Sequence, residues 1–542
     1  MTPLHAGPPG TNLDETRHVP KLSERTSGVL LHPTSLPGPY GSGDLGAAAR
    51  HFIDFLVAAR QRWWQMLPIG PVGYGNSPYS ALSAFAGNPF LICLDRLAEE
   101  GLIERSSLRD DRPDPSGPAT NFPHDRVDYA RSAQYRMAHL RAAFAAFSAS
   151  TRGGGEARDA FEAFCEEERH WLDDFALYAA IKSAHRETSW AVWPAVARLR
   201  EPVALEALRA ELRDEIELHR FLQYRFNRDW RRLRAYAHER GVGLIGDLPI
   251  FVSHDSADVW QKRHLFALDE NGMPTVVSGV PPDYFSATGQ RWGNPLYRWR
   301  SRRRDVYDWW TARFKTTLAR FDAVRLDHFI GFQRYWEIPA TEPTAVRGRW
   351  MKGPGAPFFT HVKKKLGELG ALPLIAEDLG CATPKVRALR DSFGLPGSRV
   401  LQFAFGIDPQ ASTFLPHVYP RRAVVYTGTH DNDTTVGWFN EAGGGESTRP
   451  PEQVEKERRA ALGYLGAADG TNIHWDMIRM VQLSVANTAI VPMQDLLGLG
   501  SESRMNRPGQ ATGNWEWRFQ KSDLTHELAD RLGSLTRTYG RS

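Results

Sequence analysis

Three carboxylates each follow an apolar, strand-like run, and together they could perform glycoside chemistry. They are Asp327 in VRLDHF, Glu377 in IAEDLG and Asp431 in GTHDND. Breaking a glycosidic bond requires two carboxyl groups, one as nucleophile or base and one as a proton donor with a raised pKa. A single acidic residue after a strand is often only a helix cap. Three of them, each beside a His, Asp or Arg, favour an active site.

Several neighbouring residues could support these carboxylates. Arg325 lies two positions before Asp327, so on a strand both side chains project to the same face, where the cation favours the ionised acid. His430 precedes the third carboxylate and could bind sugar hydroxyls, whereas His328 is equally well explained as part of a barrel rim. Asp247 in IGDLPIF ends another apolar run and either supports the same cleft or has a purely structural role.

Eight apolar runs separated by helical stretches predict the elements that position these residues. Most runs are continuously apolar and end in a polar cluster, as strands buried on both faces do. We therefore expect an α/β protein, a (β/α)8 TIM barrel with large, mainly helical inserted subdomains and a site at the carboxyl ends of its strands. The runs are Gly28–Ser35, Trp63–Pro71, Val242–Phe251, Ala323–Phe329, Leu372–Gly380, Arg399–Phe405, Ala423–Asn432 and Ala489–Leu497.

The uneven spacing of the runs predicts the domain organisation. Residues 1–26 are polar and contain prolines, and they form a disordered or loosely ordered extension. The catalytic barrel comprises residues 27–90 and 241–540. Residues 91–240 form an inserted helical subdomain, with a helix expected from Val203 to Arg240. Residues 252–320, rich in Trp, Tyr, Gly and Pro, form a lid or wall over the site.

Composition and missing motifs exclude several classes of partner. Lys and Arg total 67 against 63 Asp and Glu, a balance that argues against nucleic acid. Three isolated cysteines and no apolar run of membrane length indicate a cytoplasmic protein without a membrane partner. Neither a metal-binding HExxH sequence nor a glycine-rich phosphate loop occurs, so we expect no metal and no cofactor. A nucleotide sugar is therefore not indicated as a substrate.

Eight motifs, from about residue 28 to about residue 520, strongly resemble the 4-α-glucanotransferases of glycoside hydrolase family 77, known as amylomaltases or disproportionating enzymes. Their number and order make the resemblance specific. The motifs are LLHPTSLPGPYG, LPIGPVGYGNSPYSALSAFAGNP, GDLPIFV, GVPPDYFSATGQRWGNPLY, RLDHF, AEDLG, YTGTHDNDT and RMNRPGQATGNWEWR.

The resemblance implies a retaining double displacement on a glycosidic bond. It also implies a place in carbohydrate metabolism, in the use of either maltose or glycogen. Asp327 resembles the nucleophile, Glu377 the acid and base, and Asp431 the carboxylate that stabilises the transition state. Arg325, Asp247 and His430 match residues that support the donor sugar. The implied donors are α-1,4-glucans and maltooligosaccharides, and the implied acceptors are glucose or maltooligosaccharides. The protein is expected to be a monomer or a homodimer.

The resemblance also implies roles for aromatic residues. Tyr284 and Phe285 match a loop that closes over the acceptor subsites, and Gln290 and Trp292 lie farther along it. Such a loop excludes water and places the acceptor's 4-hydroxyl in line for transfer. The remaining positions are Tyr79, which matches an aromatic near the donor sugar, and Tyr74, which matches a tyrosine of a possible secondary glucan site.

Three other functions stay open at this stage. A retaining α-glucan hydrolase would use the same carboxylates with water as the acceptor. A metal-dependent barrel hydrolase would use the His, Asp and Asn of GTHDND but needs more ligands than the sequence offers. A catalytically inactive glucan-binding protein would not need all three carboxylates.

Overall fold

The structure, a computed structural model, describes residues 18–108, 122–282, 286–367, 372–380, 382–444, 449–510 and 512–542. These residues form twelve strands and eighteen α-helices, here numbered in chain order. The strands are β1 (Thr26–Leu30), β2 (Trp63–Gln65), β3 (Gly243–Pro249), β4 (Val276–Val280), β5 (Gln290–Pro295), β6 (Ala323–Asp327), β7 (Arg334–Pro339), β8 (Arg349–Lys352), β9 (Leu374–Ala376), β10 (Gly397–Val400), β11 (Ala423–Tyr426) and β12 (Thr488–Pro492).

The helices surround the strands and fill the long connections. They are α1 (Ala47–Ala58), α2 (Leu94–Glu99), α3 (Tyr129–Ser150), α4 (Glu156–Glu167), α5 (Arg169–Ala184), α6 (Ala195–Arg198), α7 (Pro202–Glu211), α8 (Arg213–Glu239), α9 (Ala257–Gln261), α10 (Arg303–Arg320), α11 (Ile330–Gln333), α12 (Ala356–Leu366), α13 (Pro384–Ser392), α14 (Thr435–Asn440), α15 (Pro451–Leu465), α16 (Ile473–Leu483), α17 (Met493–Leu496) and α18 (His526–Thr538).

Eight strands close into a barrel in the order β1, β12, β11, β10, β9, β6, β3, β2, with parallel pairing throughout. The predicted (β/α)8 barrel is confirmed, and each predicted run overlaps one barrel strand. Both faces of these strands are covered, by side chains inside and helices outside, which explains their continuous apolar sequences.

Several predicted runs extend past the strand that they contain. β2 ends at Gln65, and the sixth run becomes a 3-10 helix at Leu401–Phe405 directly after β10. The residues beyond the strand ends are still buried, as Met66 and Leu67 are. The apolar pattern therefore continues where the hydrogen-bonded ladder has stopped.

Strand register brings the predicted site residues side by side. In the β3–β6 pair, Asp247 lies opposite Arg325. In the β6–β9 pair, Leu326 lies opposite Ala376. The residue after Leu326 is Asp327, the last of β6, and the residue after Ala376 is Glu377, just past the end of β9. Both carboxyl groups therefore lie at the same edge of the barrel.

The connection between β2 and β3 is helical and comprises α2 to α8. The helix predicted from Val203 to Arg240 is two helices, α7 and α8, which meet at Leu212. α8 packs on α5 within the connection, and it also packs on α1, α10 and β3. This helix therefore serves both the insertion and the outer layer of the barrel.

A second sheet, not predicted from the sequence, lies outside the barrel. It has four antiparallel strands in the order β5, β4, β7, β8. β4 and β5 come from the connection after β3, and β7 and β8 come from the connection after β6. Their sequences, such as QRWGNP and RYWEIP, mix polar and apolar residues, so no continuous apolar run marked them.

The beginning of the helical insertion is tied to the C-terminal part of the chain. Arg126 forms an antiparallel bridge with Trp517, and the Val127 amide donates to the Glu516 carbonyl at 2.7 Å. The hydroxyl of Tyr129, the first residue of α3, donates to the carbonyl of Trp515 at 2.8 Å. Across the described residues, no helix combines the length and the apolar character required to cross a membrane.

Candidate active site

Asp327 is the last residue of β6, and a buried arginine on the same strand contacts it. Nη1 of Arg325 lies 3.0 Å from Oδ1 of Asp327 and 2.6 Å from Oδ2 of Asp247 on β3. Burial opposes the charge of this arginine, but the two carboxylates raise its pKa above the usual value. The guanidinium is therefore a permanent cation between the two carboxylates, and it opposes the rise that burial causes in the pKa of Asp247.

Glu377 immediately follows β9 and is held by two backbone amides. The amide of His328 donates to Oε2 at 2.8 Å, and the amide of Leu379 donates to Oε1 at 3.0 Å. Burial raises the pKa of Glu377 to about 7, with the charge of Asp327 adding to the rise and Arg325 opposing it. A carboxyl group with this pKa can give and take a proton near neutral pH.

His328 has an unusual backbone that serves this contact. Its φ of 52° lies in the left-handed region that non-glycine residues rarely adopt. This turn directs its amide at Glu377, while its ring lies edge-on to Trp292, with the ring centroids 4.8 Å apart. Burial lowers the pKa of the His328 ring to about 4, so the imidazole is neutral near pH 7. Strained backbone of this kind is concentrated at functional sites.

Asp431 lies on the loop after β11 and has two side-chain partners. Nε2 of His430 is 3.3 Å from Oδ2, and Nδ2 of Asn506 donates to Oδ1 at 2.6 Å. Burial opposes ionisation, but His430 and Asn506 hold the pKa of the Asp431 carboxyl well below its usual range. Asp431 is thus an anion near neutral pH.

An aromatic stack borders the carboxylates. The ring of Tyr79 is stacked on His430 at 5.2 Å between centroids, and Trp515 lies 5.8 Å from Tyr79 and 6.0 Å from His430. The Tyr79 hydroxyl donates to Oδ2 of Asp247 at 2.8 Å. The stack thereby joins Asp247 on one side to His430 on the other.

The remaining predicted residues lie farther out. Gln290 and Trp292 are on β5, where the indole N–H of Trp292 donates to the Gln290 side chain at 3.1 Å. Trp292 is 38% exposed. Tyr74 lies in a 3-10 turn and is 86% exposed, whereas Asp247 and Arg325 are buried. Tyr284 and Phe285 lie outside the described residues. No cluster of three or more His, Cys, Asp or Glu side chains suited to a metal ion occurs among the residues that the structure describes.

Three contacting residues were not selected from the sequence: Arg504, Asn506 and Trp515. All belong to RMNRPGQATGNWEWR, a motif used for the resemblance but given no role. Asn506 reaches Asp431 from 75 positions away in the chain. The motif was the only available signal, because no local pattern reports a contact over such a separation.

Known proteins match this geometry and this sequence over nearly the whole chain. The model of glycoside hydrolase family 77, described as 4-alpha-glucanotransferase, matches residues 31–525. The chain is 48% identical to the 4-alpha-glucanotransferase of Synechocystis sp. over 96% of this chain and 99% of that protein. It is also 48% identical to the 4-alpha-glucanotransferase of Thermus thermophilus, over 94% of this chain and 98% of that protein.

A solved structure agrees with these matches. The amylomaltase from Streptococcus agalactiae in complex with acarbose superposes with a TM-score of 0.88, at 36% identity, covering 96% of this chain and 100% of that one. The resemblance found in the sequence is confirmed, and the relatives are named as transferases, so the hydrolase alternative is not favoured. The chain belongs to glycoside hydrolase family 77, the 4-alpha-glucanotransferases.

Proposed function

We propose that the chain transfers segments of α-1,4-glucan by a double displacement through Asp327 and Glu377. The carboxylate of Asp327 attacks C1 of the donor sugar, and the bond from C1 to the glycosidic oxygen breaks. Glu377 gives its proton to that oxygen, so the leaving chain departs with a free 4-hydroxyl. The product on the enzyme is a glycosyl ester in the β configuration.

The second displacement reverses these roles. The acceptor's 4-hydroxyl loses its proton to Glu377, and its oxygen attacks C1 and breaks the ester to Asp327. Two inversions restore the α configuration. The observation that carries this proposal is that the two carboxyl groups, at the ends of adjacent strands, have different surroundings. A cation lies 3.0 Å from Asp327, whereas burial raises the pKa of Glu377 to about 7. Such a pair places a carboxylate that contacts a cation beside a carboxyl group that can donate a proton near neutral pH.

Asp431 and His430 stabilise the donor sugar in this proposal. Asp431 is held ionised by His430 and Asn506, which suits a carboxylate that accepts hydrogen bonds from sugar hydroxyls. These hydrogen bonds strengthen as positive charge develops on the sugar ring. Arg325, Asp247 and Tyr79 keep the nucleophile and the floor of this subsite in place.

Transfer to sugar in preference to water requires an acceptor site on the other side of Glu377. Trp292 contacts His328, the residue whose amide holds Glu377, and the exposed part of its indole can stack on a sugar ring. We propose that Gln290 and Trp292, with Tyr284 and Phe285, bind the acceptor and exclude water. Tyr74 remains a proposed secondary glucan contact.

The proposed substrates are α-1,4-glucans and maltooligosaccharides as donors, with glucose or maltooligosaccharides as acceptors, in maltose or glycogen metabolism. The two carboxyls supply both nucleophile and proton, so the reaction needs no cofactor. The nearly balanced net charge argues against a nucleic-acid partner, and three isolated cysteines are consistent with a cytoplasmic location. We propose a monomer or a homodimer without a membrane partner. We also propose a division of the chain into a catalytic barrel, an inserted helical subdomain at residues 91–240, and a lid region at residues 252–320 that contributes to the acceptor site.

Incubation with maltotriose tests the proposal. The purified protein, without added metal or nucleotide, should form longer maltooligosaccharides and glucose while the total of reducing ends stays nearly constant. The D327N variant, measured at the same concentration, controls for contaminating enzymes. A steady rise in reducing ends without longer chains would identify water as the acceptor and refute transfer.

A further inference from the structure

Asp431 differs from the other two carboxylates in how it is held. Asp327 belongs to β6 and Glu377 directly follows β9, whereas β11 ends at Tyr426 and Asp431 lies five positions farther on. Strand hydrogen bonds therefore do not fix it. Its position depends on contacts between its loop and the rest of the molecule.

One arginine joins the two loops that meet at Asp431. Nη2 of Arg504 donates to the backbone carbonyl of Asp431 at 2.6 Å, and its Nε donates to the backbone carbonyl of Asn506 at 2.7 Å. The side chain of Asn506 in turn donates to Oδ1 of Asp431. The guanidinium thus links the main chain of the carboxylate to the main chain of its amide partner.

The C-terminal loop is itself anchored close to these contacts. The amide of Asn506 donates to the carbonyl of His430 at 3.0 Å, and the amide of Trp515 donates to the carbonyl of Met505 at 2.7 Å. Trp515 is in turn held by Tyr129 of the helical insertion. Arg504 therefore connects Asp431 to a fixed part of the molecule.

Arg504 borders a cavity that is also lined by His430 and Asn432. Loss of the guanidinium would leave the Asp431 loop space in which to move. A displacement of about 1 Å at a reacting group is enough to reduce an enzyme's rate by about two orders of magnitude.

We propose that Arg504 is a positioning residue that orients Asp431 for the transition state. It acts through two backbone carbonyls, not through contact with the sugar. This inference rests on the proposed function of Asp431 as the carboxylate that grips the donor sugar. Arg504 acts on the reaction only through the orientation of Asp431. Its effect on kcat must therefore disappear in a variant whose residue 431 no longer carries a carboxylate.

A double-mutant cycle tests this dependence. The R504M variant should lower kcat for maltotriose disproportionation by about tenfold, with KM changed less than about twofold, since the transition state loses more than the bound substrate. R504K, which keeps a single donor nitrogen, should recover part of the lost kcat. In the D431N background, the R504M change should have little further effect, because coupled residues do not contribute additively.

R507M is the matched control on the same loop. Within the described part of the chain, the side chain of Arg507 hydrogen-bonds the Ser501 carbonyl, at 3.4 Å, and no other group, so its loss should leave kcat unchanged. Thermal midpoints of all variants separate a fall in kcat from a loss of folded enzyme. Equal factors for R504M in the wild-type and D431N backgrounds, or normal kcat in R504M, would overturn the inference. Normal activity of D431N alone would instead refute the proposed function of Asp431.

Discussion

The two sides of the candidate site are built differently. On the proposed donor side, Asp247, Arg325, Asp327 and Glu377 lie on or directly after barrel strands, and Arg325 and Asp247 are almost fully buried. On the proposed acceptor side, Trp292 lies on β5 of the outer antiparallel sheet and is 38% exposed. The difference suggests that bond breaking depends on a fixed, buried constellation, whereas the choice between sugar and water depends on an exposed surface.

Removing either carboxyl group on the donor side should have the largest effect. D327N has no nucleophile and E377Q has no proton to give, so each should lower maltotriose disproportionation by at least about a thousandfold while the fold persists. The measurement is glucose release under initial-rate conditions, with circular dichroism as the control for folding. Near-normal turnover in either variant would contradict the assignment.

An activated donor separates the two roles. Fluoride leaves without needing a proton, so E377Q should still release fluoride from an α-maltosyl fluoride in a first turnover. D327N should not, because attack at C1 requires its carboxylate. Equal behaviour of the two variants toward this donor would show that the roles are assigned wrongly.

The pH dependence should reveal the raised pKa of Glu377. Because this pKa is raised to about 7 and catalysis needs the protonated form, kcat/KM should fall as the pH rises above about 7. Initial rates between pH 5 and pH 9 measure this limb. D431N should be slower but show nearly the same limb, since burial, Arg325 and Asp327 have the largest effects on the pKa of Glu377. A flat profile from pH 6 to pH 9 would contradict the role of Glu377.

Burial explains which parts of this arrangement the sequence could predict. Asp327 and Glu377 were found because they terminate strands buried on both faces, whose apolar runs are distinct. The outer sheet was missed because its strands, such as β5 with the sequence QRWGNP, mix polar and apolar residues without a continuous apolar run. Arg504 and Asn506 were missed because their contacts with Asp431 are made across more than 70 positions of the chain. Local patterns report burial, but they do not report which distant loops meet.

Trp292 should control the partition between sugar and water without controlling bond breaking. Loss of the indole in W292A should lower the ratio of transfer to hydrolysis by about two- to tenfold, as expected for a lost aromatic contact of ~0.5–1.5 kcal/mol. W350A is the matched control. In the outer sheet Trp350 pairs with Trp336, Trp336 with Gly279, and Gly279 with Arg291, so these four residues share one face. Trp292 is the neighbour of Arg291 on β5 and therefore lies on the opposite face of the sheet. An unchanged ratio in W292A would exclude the acceptor role.

Two nearby tyrosines should give the smallest effect and the clearest contrast. Tyr74 and Tyr79 lie in consecutive 3-10 turns, but Tyr74 is 86% exposed whereas Tyr79 is stacked on His430 and hydrogen-bonded to Asp247. Y74A should therefore change the rate with maltotriose by less than about twofold, as surface substitutions do.

Y79F, which removes only a hydroxyl, should slow the same reaction more than Y74A, because Asp247 loses a hydrogen bond in a buried ion-pair network. Initial rates with maltotriose and with a long amylose compare the two variants. If Tyr74 contributes to a secondary glucan site, Y74A should weaken use of the long substrate alone. If Y74A instead lowers the rates with both substrates equally, Tyr74 belongs to the catalytic cluster. That result would contradict the separation between a buried donor side and an exposed glucan-binding surface.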